Sequence, residues 1–444
     1  MPTRLLILLL SAPLWAQGPL SLREGVNLAL AKHPSLEASQ NGVKAAQMRI
    51  QEARSGYLPK VNYAESYLRS NNPVVVFSSL LTQHRFTEQN FAVGLLNRPD
   101  AINNFQSQVT LDQAVYDAGQ TKNALKSAEL GRSRAGEDQR RTEMEVIAGV
   151  VRTYHGVVLA GQALEVANEA VRSGEADLAR AETIRAAGMS TDADVLSIRV
   201  HLAGMREQQI RRRSELDVAR AALNEALGLP LGTPHDLTTT LTPARIENLP
   251  LEGYEKESLA ERPEARQARL ATSLAETQSA SARASLRPQV TLHAGFEADR
   301  QRFLTRGGAN WIGSASLRWN IFNGLADKAR IEEAGYALNR ARAQQNQTDS
   351  LVHLQVRRAY ASFEAAQERI EVARAAVSMA EESLRITKNR FENGLSNVTD
   401  LLRTETALLE VRNRLLAAIY DQRLAATGLE LAAGTLSQHS EVLN

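Results

Sequence analysis

Two stretches of this chain repeat each other. Shifted by 229 residues, His33-Pro34 and Leu58-Pro59-Lys60-Val61 fall on Arg262-Pro263 and Arg287-Pro288-Gln289-Val290. Shifted by 206, Val115-Tyr116-Asp117 falls on Ile321-Phe322-Asn323, and Arg152 and Tyr154 fall on Arg358 and Tyr360. The same shift sets Gly188, Ser190, Asp194 and Leu196 on Gly394, Ser396, Asp400 and Leu402, and Gly228 on Gly434. A single offset held over so long a span marks an internal duplication. The fall from 229 to 206 gives the first copy 23 extra residues between Val61 and Val115. The expected organisation is a leader at 1–16, a first repeat at 17–229 with an insertion at 71–104, a connecting segment at 230–261, a second repeat at 262–435 and a tail at 436–444.

Each copy has the same order of elements: a helix ending near a proline, two strands, two long helices and a glycine. Proline cannot continue a helix and biases its predecessor towards extended backbone. Pro59 and Pro288 therefore mark helix-to-strand junctions. The strands alternate with period two. Phe105, Ser107, Val109 and Leu111 share one face against Gln106, Gln108 and Thr110; Trp311, Gly313, Ala315, Leu317, Trp319 and Ile321 alternate with Ser314, Ser316, Arg318 and Asn320. Alternation of this kind suits a membrane barrel with lipid on one face and a lumen on the other. It suits a sheet covering a soluble core equally well.

The helical segments limit the choice. Asp117 and Asn323 stand where an N-cap belongs. No proline interrupts 120–187 or 325–392, and each run would make ~100 Å of helix at 1.5 Å per residue. The returning helices, 194–227 and 400–433, carry leucines seven apart, as in Leu401, Leu408 and Leu415, which is coiled-coil spacing. Helices this long call for several chains side by side. Met1–Ala16, with Arg4 before the apolar run Leu5–Leu10, reads as a secretory leader. No later stretch is long and apolar enough for a transmembrane helix, so membrane entry would require a barrel. Four strands cannot close one. Three chains would supply twelve strands.

Composition removes other classes. There is no cysteine, so disulfides, thiolate metal sites and an N-terminal lipid anchor are not expected. A formal net charge of +2 gives no sign of a nucleic-acid partner. The eight histidines form no His-x-x-x-His or His-Glu-x-x-His pair, and neither a phosphate loop nor a Ser-x-x-Lys acylase motif occurs. No enzyme activity, cofactor or metal is expected. An exported coiled-coil stalk would explain the helices, but not two strand pairs at matched places.

The sequence resembles the TolC family of outer-membrane efflux proteins. The resemblance rests on the duplication, on the two proline-ended helices, and on Val115-Tyr116-Asp117-Ala118-Gly119 with Ile321-Phe322-Asn323-Gly324. It rests also on Ala187–Leu196 and on Phe391–Leu402. It implies an α+β, mainly α fold: a homotrimer with a 12-stranded barrel in the outer membrane of a Gram-negative-type bacterium, continued by an α-helical coiled-coil barrel in the periplasm. Residues from about Pro230 to Ala260 would form part of a belt. It implies a passive exit duct for drugs, metals or secreted proteins, partnered by a periplasmic adaptor and an inner-membrane pump of RND or ABC type.

The resemblance also assigns residues. Gly188, Met189, Ser190, Gly394, Leu395 and Ser396 would form adaptor-docking tips, although a helix C-cap glycine followed by a Ser/Thr N-cap explains the same pattern. Asp194 and Asp400 would line a periplasmic gate as rings of three carboxylates, or simply favour the positive ends of their helices. Arg403 stands where a second gate aspartate is usual, implying a ring of mixed sign. Phe391 replaces a gate tyrosine and cannot donate through a hydroxyl. The apolar insertion, with Phe77, Phe86 and Phe91, would form a lid at the outer mouth or an extra hydrophobic, membrane-contacting hairpin.

Overall fold

The computed structural model describes residues 19–188, 190–246 and 249–444. The leader expected at 1–16, and Met189, lie outside them. In chain order the elements are β1 (Pro19–Leu20), α1 (Leu22–Lys32), α2 (Pro34–Arg54), β2 (Lys60–Ser70), α3 (Pro73–Thr82), α4 (Val93–Asn97), β3 (Ile102–Tyr116), α5 (Gln120–Ala186), α6 (Asp192–Ala226), β4 (Asp236–Leu237), α7 (Leu251–Glu261), α8 (Pro263–Ala284), β5 (Gln289–Arg300), β6 (Gly308–Arg318), α9 (Ala326–Glu392) and α10 (Val398–Ala433). Both α5 and α9 have 67 residues. The chain divides into two compact units. One spans Gly42–Gly136 and Gln267–Asn346; the other holds the chain up to Asn41 with Glu137–Arg266 and Gln347–Asn444.

The first of these units is built on one antiparallel sheet of order β2-β3-β5-β6. Its register sorts the side chains by chemistry. Tyr63, Val109, Phe296 and Trp311 form one row across all four strands, and Val61, Leu111, Ala294 and Gly313 form the row two residues away. The opposite face carries rows such as Lys60, Asp112, His293 and Ser314, or Ala64, Gln108, Glu297 and Asn310. The apolar rows are not covered by this chain: Trp311 is 83% exposed and Tyr63 66%.

Pro59 and Pro288 stand immediately before β2 and β5. β6 stops at Arg318, short of the strand expected to run to Ile321. The cause is its partner: Arg318 pairs with Gln289, the first residue after Pro288, and no ladder exists beyond it. Trp319 instead donates its indole N–H to the Leu286 carbonyl at 3.0 Å. Asp117 and Asn323 cap their helices from farther back than expected. Asp117 accepts from the Gly119 and Thr121 N–H groups at 2.9 and 2.6 Å, and Asn323 from the Asp327 N–H at 3.3 Å. Between each residue and its helix the chain turns through positive φ, at Ala118–Gly119 and at Gly324–Leu325.

The insertion between β2 and β3 is largely helical. Asn72 caps α3 and Pro73 opens it. Phe86 lies between Phe77 and Phe91, with ring centroids 4.9 and 5.1 Å apart and edge-to-face geometry. The segment is tied to the sheet: Gln83 donates to the Asn103 carbonyl at 2.9 Å and to Asn104 at 2.8 Å, and Asn310 donates to the Thr82 carbonyl at 3.2 Å.

The other unit holds the main hydrophobic core, where α1, the middle of α5 and the ends of α6 and α10 meet. Ser21 and Glu24 form a capping box that starts α1. β1 and β4 pair in parallel, and the fully buried Tyr154 fixes them: its hydroxyl donates to the Leu20 carbonyl at 2.7 Å and accepts from the Thr239 N–H at 2.9 Å. Gln422 closes two hydrogen bonds on the Ala244 backbone at 2.8 and 3.0 Å. Arg423 donates to the carbonyls of Thr242, Val442 and Asn444. The connecting segment is thus stitched to α5 and α10 by polar groups inside an apolar surround.

Candidate functional site

The two helical hairpins, α5–α6 and α9–α10, turn at the motifs singled out in the sequence. At the first, Gly188 adopts φ +76° and its N–H reaches the Arg185 carbonyl at 2.8 Å. At the second, Gly394 adopts φ +71°, with its N–H on the Phe391 carbonyl at 3.0 Å and the Leu395 N–H on the Arg390 carbonyl at 2.8 Å. Positive φ is why glycine occupies both positions. The N-caps fall one residue later than Ser190 and Ser396. Thr191 and Asn397 have extended backbone and accept from the N–H groups of Asp194 and Asp400. Leu395 is 69% exposed at the second turn.

Asp194 completes a capping box: its carboxylate accepts from the Thr191 N–H at 3.0 Å, the Thr191 hydroxyl at 2.7 Å and the Ser190 hydroxyl at 3.2 Å. These bonds from Thr191 hold its carboxyl below the usual carboxylate range. Asp400 is more exposed, and its carboxylate accepts from the Ser396 hydroxyl at 3.3 Å. The two aspartates thus occupy matched positions in unequal environments. Arg403 is exposed one turn further along α10. Phe391 is half-buried on a small core of Ala181, Val195, Ile198 and Val398, which draws residues from both hairpins. Arg180 pairs with Glu392 beside it.

Reasoning from the sequence missed a buried polar group farther from the turns. Asp177 on α5 is 2% exposed and holds Lys388 of α9 at 2.9 Å. Glu405 on α10 is 7% exposed and lies 3.6 Å from Nε2 of His201 on α6. The signal was present in the spacing. Asp177 continues the buried stripe Ala163, Ala167, Val171, Gly174, and Glu405 sits between Leu401 and Leu408 in another. A charged residue in such a stripe is the anomaly to notice.

No helix among the described residues is long and apolar enough to cross a membrane. Those residues also contain no cluster of three His, Asp or Glu side chains able to hold a metal. The outer membrane efflux protein model matches residues 25–229 and 256–435, most of the chain. The chain belongs to the outer membrane efflux protein family. Members of this TolC-like family are channels rather than catalysts. Protein CyaE of Bordetella pertussis is 28% identical over 423 residues, covering 94% of this chain and 85% of CyaE. The alkaline protease secretion protein AprF of Pseudomonas aeruginosa is 24% identical, covering 94% and 85%. The cation efflux system protein CusC of Escherichia coli is 22% identical, covering 88% and 83%. In structure, CusC matches with a TM-score of 0.79 at 18% identity over 93% of this chain and 92% of CusC. The outer membrane protein VceC of Vibrio cholerae matches at 0.76 and 19% identity over 93% and 96%. The fold is that of these outer membrane efflux channels.

Proposed function

We propose that this protein is the outer-membrane exit duct of a tripartite efflux or type I secretion system, passing small molecules or proteins from the periplasm to the exterior. The observation that carries it is the uncovered apolar face of the sheet. Tyr63, Val109, Phe296 and Trp311 lie in one exposed row, while the opposite face is polar. Such a face needs lipid on one side and tolerates water on the other. β2 and β6 form the two ends of the sheet, so backbone groups on their outer edges require further strands. Three copies supply twelve. A stalk protein would have no use for this face. The relatives named for cation efflux and protease secretion favour a duct that serves a separate pump through a periplasmic adaptor.

In this scheme the domain plan is the internal duplication described above, with the 230–261 segment in a belt around the helices. The turns at Gly188, Met189, Ser190, Gly394, Leu395 and Ser396 meet the adaptor. Asp194, Asp400, Arg403 and Phe391 form the periplasmic gate, and Phe77, Phe86 and Phe91 hold the outer-mouth lid. Pro59, Pro288, Asp117 and Asn323 set the junctions between strands and helices. The test is a detergent-extracted protein recovered from the outer-membrane fraction, sized by native mass spectrometry and reconstituted in planar bilayers. A trimer with discrete conductance is expected; a water-soluble monomer refutes the duct. Asp194→Asn with Asp400→Asn should alter conductance or cation preference. An unchanged channel would remove those carboxylates from the constriction.

A further inference from the structure

Four helices each send one ionisable side chain to the same place: Asp177 from α5, His201 from α6, Lys388 from α9 and Glu405 from α10, with His201 and Lys388 partly exposed. The carboxylate side chains are 3% and 5% exposed, so water does little to screen them. Lys388 satisfies Asp177. Glu405 has only the longer contact with His201, at 3.6 Å: both its oxygens are buried without a hydrogen bond, and so is Nε2 of His201. Charges elsewhere around the group are already committed. Arg412 of α10 spans Glu169 of α5 and Glu381 of α9 at 3.3 and 2.8 Å. Ser173, one turn from Asp177, bonds its carboxylate at 3.4 Å. A cavity of about 290 Å³ opens beside Glu405, lined also by Met205, Leu384, Leu408 and Leu409, so the site has room to rearrange.

We propose that Asp177, His201, Lys388 and Glu405 form a proton-dependent latch that holds the two hairpins of one protomer together, closed when Glu405 is protonated and released when it ionises. This rests on the gated-duct reading and names how its gate is regulated. With Glu405 neutral, the Asp177–Lys388 pair leaves the group balanced. Once Glu405 loses its proton, two buried carboxylates face one ammonium, and the uncompensated charge favours separation and hydration. Burial pushes the Glu405 carboxyl above its ordinary range and the Asp177 carboxylate adds to this, while His201 opposes it. The sign follows: a raised pKa stabilises the closed form at low pH, and the stabilisation is lost as pH rises through that value.

The chain has no cysteine, so Ala193→Cys and Leu395→Cys place spin labels only at the two turns. Their separation is measured by electron double resonance in the full-length protein across a titration from acidic to alkaline pH, since the shift is upward. The distance should lengthen and broaden with rising pH. Glu405→Gln, which mimics the protonated acid at the same size, should remain short and narrow throughout. Lys388→Met should be broad throughout, and His201→Gln should keep the alkaline response. A wild-type distance that does not move, or an unchanged pH response in Glu405→Gln, overturns the latch. Conductance recorded in parallel separates the two claims. Moving labels without any conductance remove the duct but leave the latch, whereas steady labels in a conducting channel remove the latch alone.

Discussion

Replacing Tyr154 by Phe removes a single oxygen from a fully buried side chain of the core. That oxygen serves both sides of the β1–β4 junction, donating to the Leu20 carbonyl and accepting from the Thr239 N–H. Leu20 keeps a second partner, because the Thr238 N–H reaches the same carbonyl at 3.2 Å. Thr239 keeps none for its N–H, although its hydroxyl still accepts from the Leu22 N–H at 3.0 Å. Two hydrogen bonds at about 1 kcal/mol each set the expected loss at about 2 kcal/mol, rising to about 4 if water cannot reach the stranded amide. Because ~1.4 kcal/mol is tenfold, the Thr239 amide should exchange hydrogen at least ~30-fold faster when local opening controls exchange. Tyr360, on which Tyr154 falls when the sequence is shifted by 206, is a control. Tyr360 is only half-buried, with its ring 6.1 Å from Tyr254, so Tyr360→Phe should cost less than ~1 kcal/mol. Peptide-resolved hydrogen exchange on both variants decides the matter. Unchanged exchange at Thr239 in Tyr154→Phe would show that the hydroxyl is not what holds the junction.

His155 is buried with both ring nitrogens unpaired, and burial, with Arg423 adding to it, lowers its pKa to about 3. The unfolded chain therefore binds the extra proton first, and stability should fall by a few kcal/mol as pH drops from about 6.5 towards 3; denaturant midpoints of His155→Leu should show a weaker acid dependence. Gly188→Ala and Gly394→Ala meet open space but must hold positive φ, so each should lower stability by about 1 kcal/mol without loss of fold, read by thermal melting. Phe86→Ala removes the central ring of the Phe77–Phe86–Phe91 stack, worth about 1–3 kcal/mol in two aromatic contacts alone, and should make 71–104 the first site of limited proteolysis.

The long helices were legible because nothing local opposes them. Proline-free runs gave α5 and α9, and seven-residue leucine spacing marked the returning helices α6 and α10, all within about two residues at each end, which is the ordinary uncertainty of a frayed terminus. Turn glycines were legible for the same local reason, since positive φ leaves few alternatives. What failed depended on a distant partner. β6 was expected to reach Ile321, but a strand lasts only as long as its neighbour, and Pro288 decides where that neighbour begins. Asp117 and Asn323 were recognised as capping side chains but set too close to their helices, because Ala118 and Leu325 take up positive φ without being glycine. Asp177 and Glu405 look like solvated helix charges until the buried faces of four helices are superposed.

The outer strands β2 and β6 have 11 residues each, and neither has a neighbour beyond it in the sheet. In hydrocarbon, each unpaired backbone group would cost several kcal/mol, so two bare margins of this length would cost tens. Under the duct proposed above, a single copy could not wait in the bilayer for others to arrive. For a duct of this design, insertion and association must be one concerted event, and the rate of biogenesis should depend steeply on the local concentration of newly exported chains.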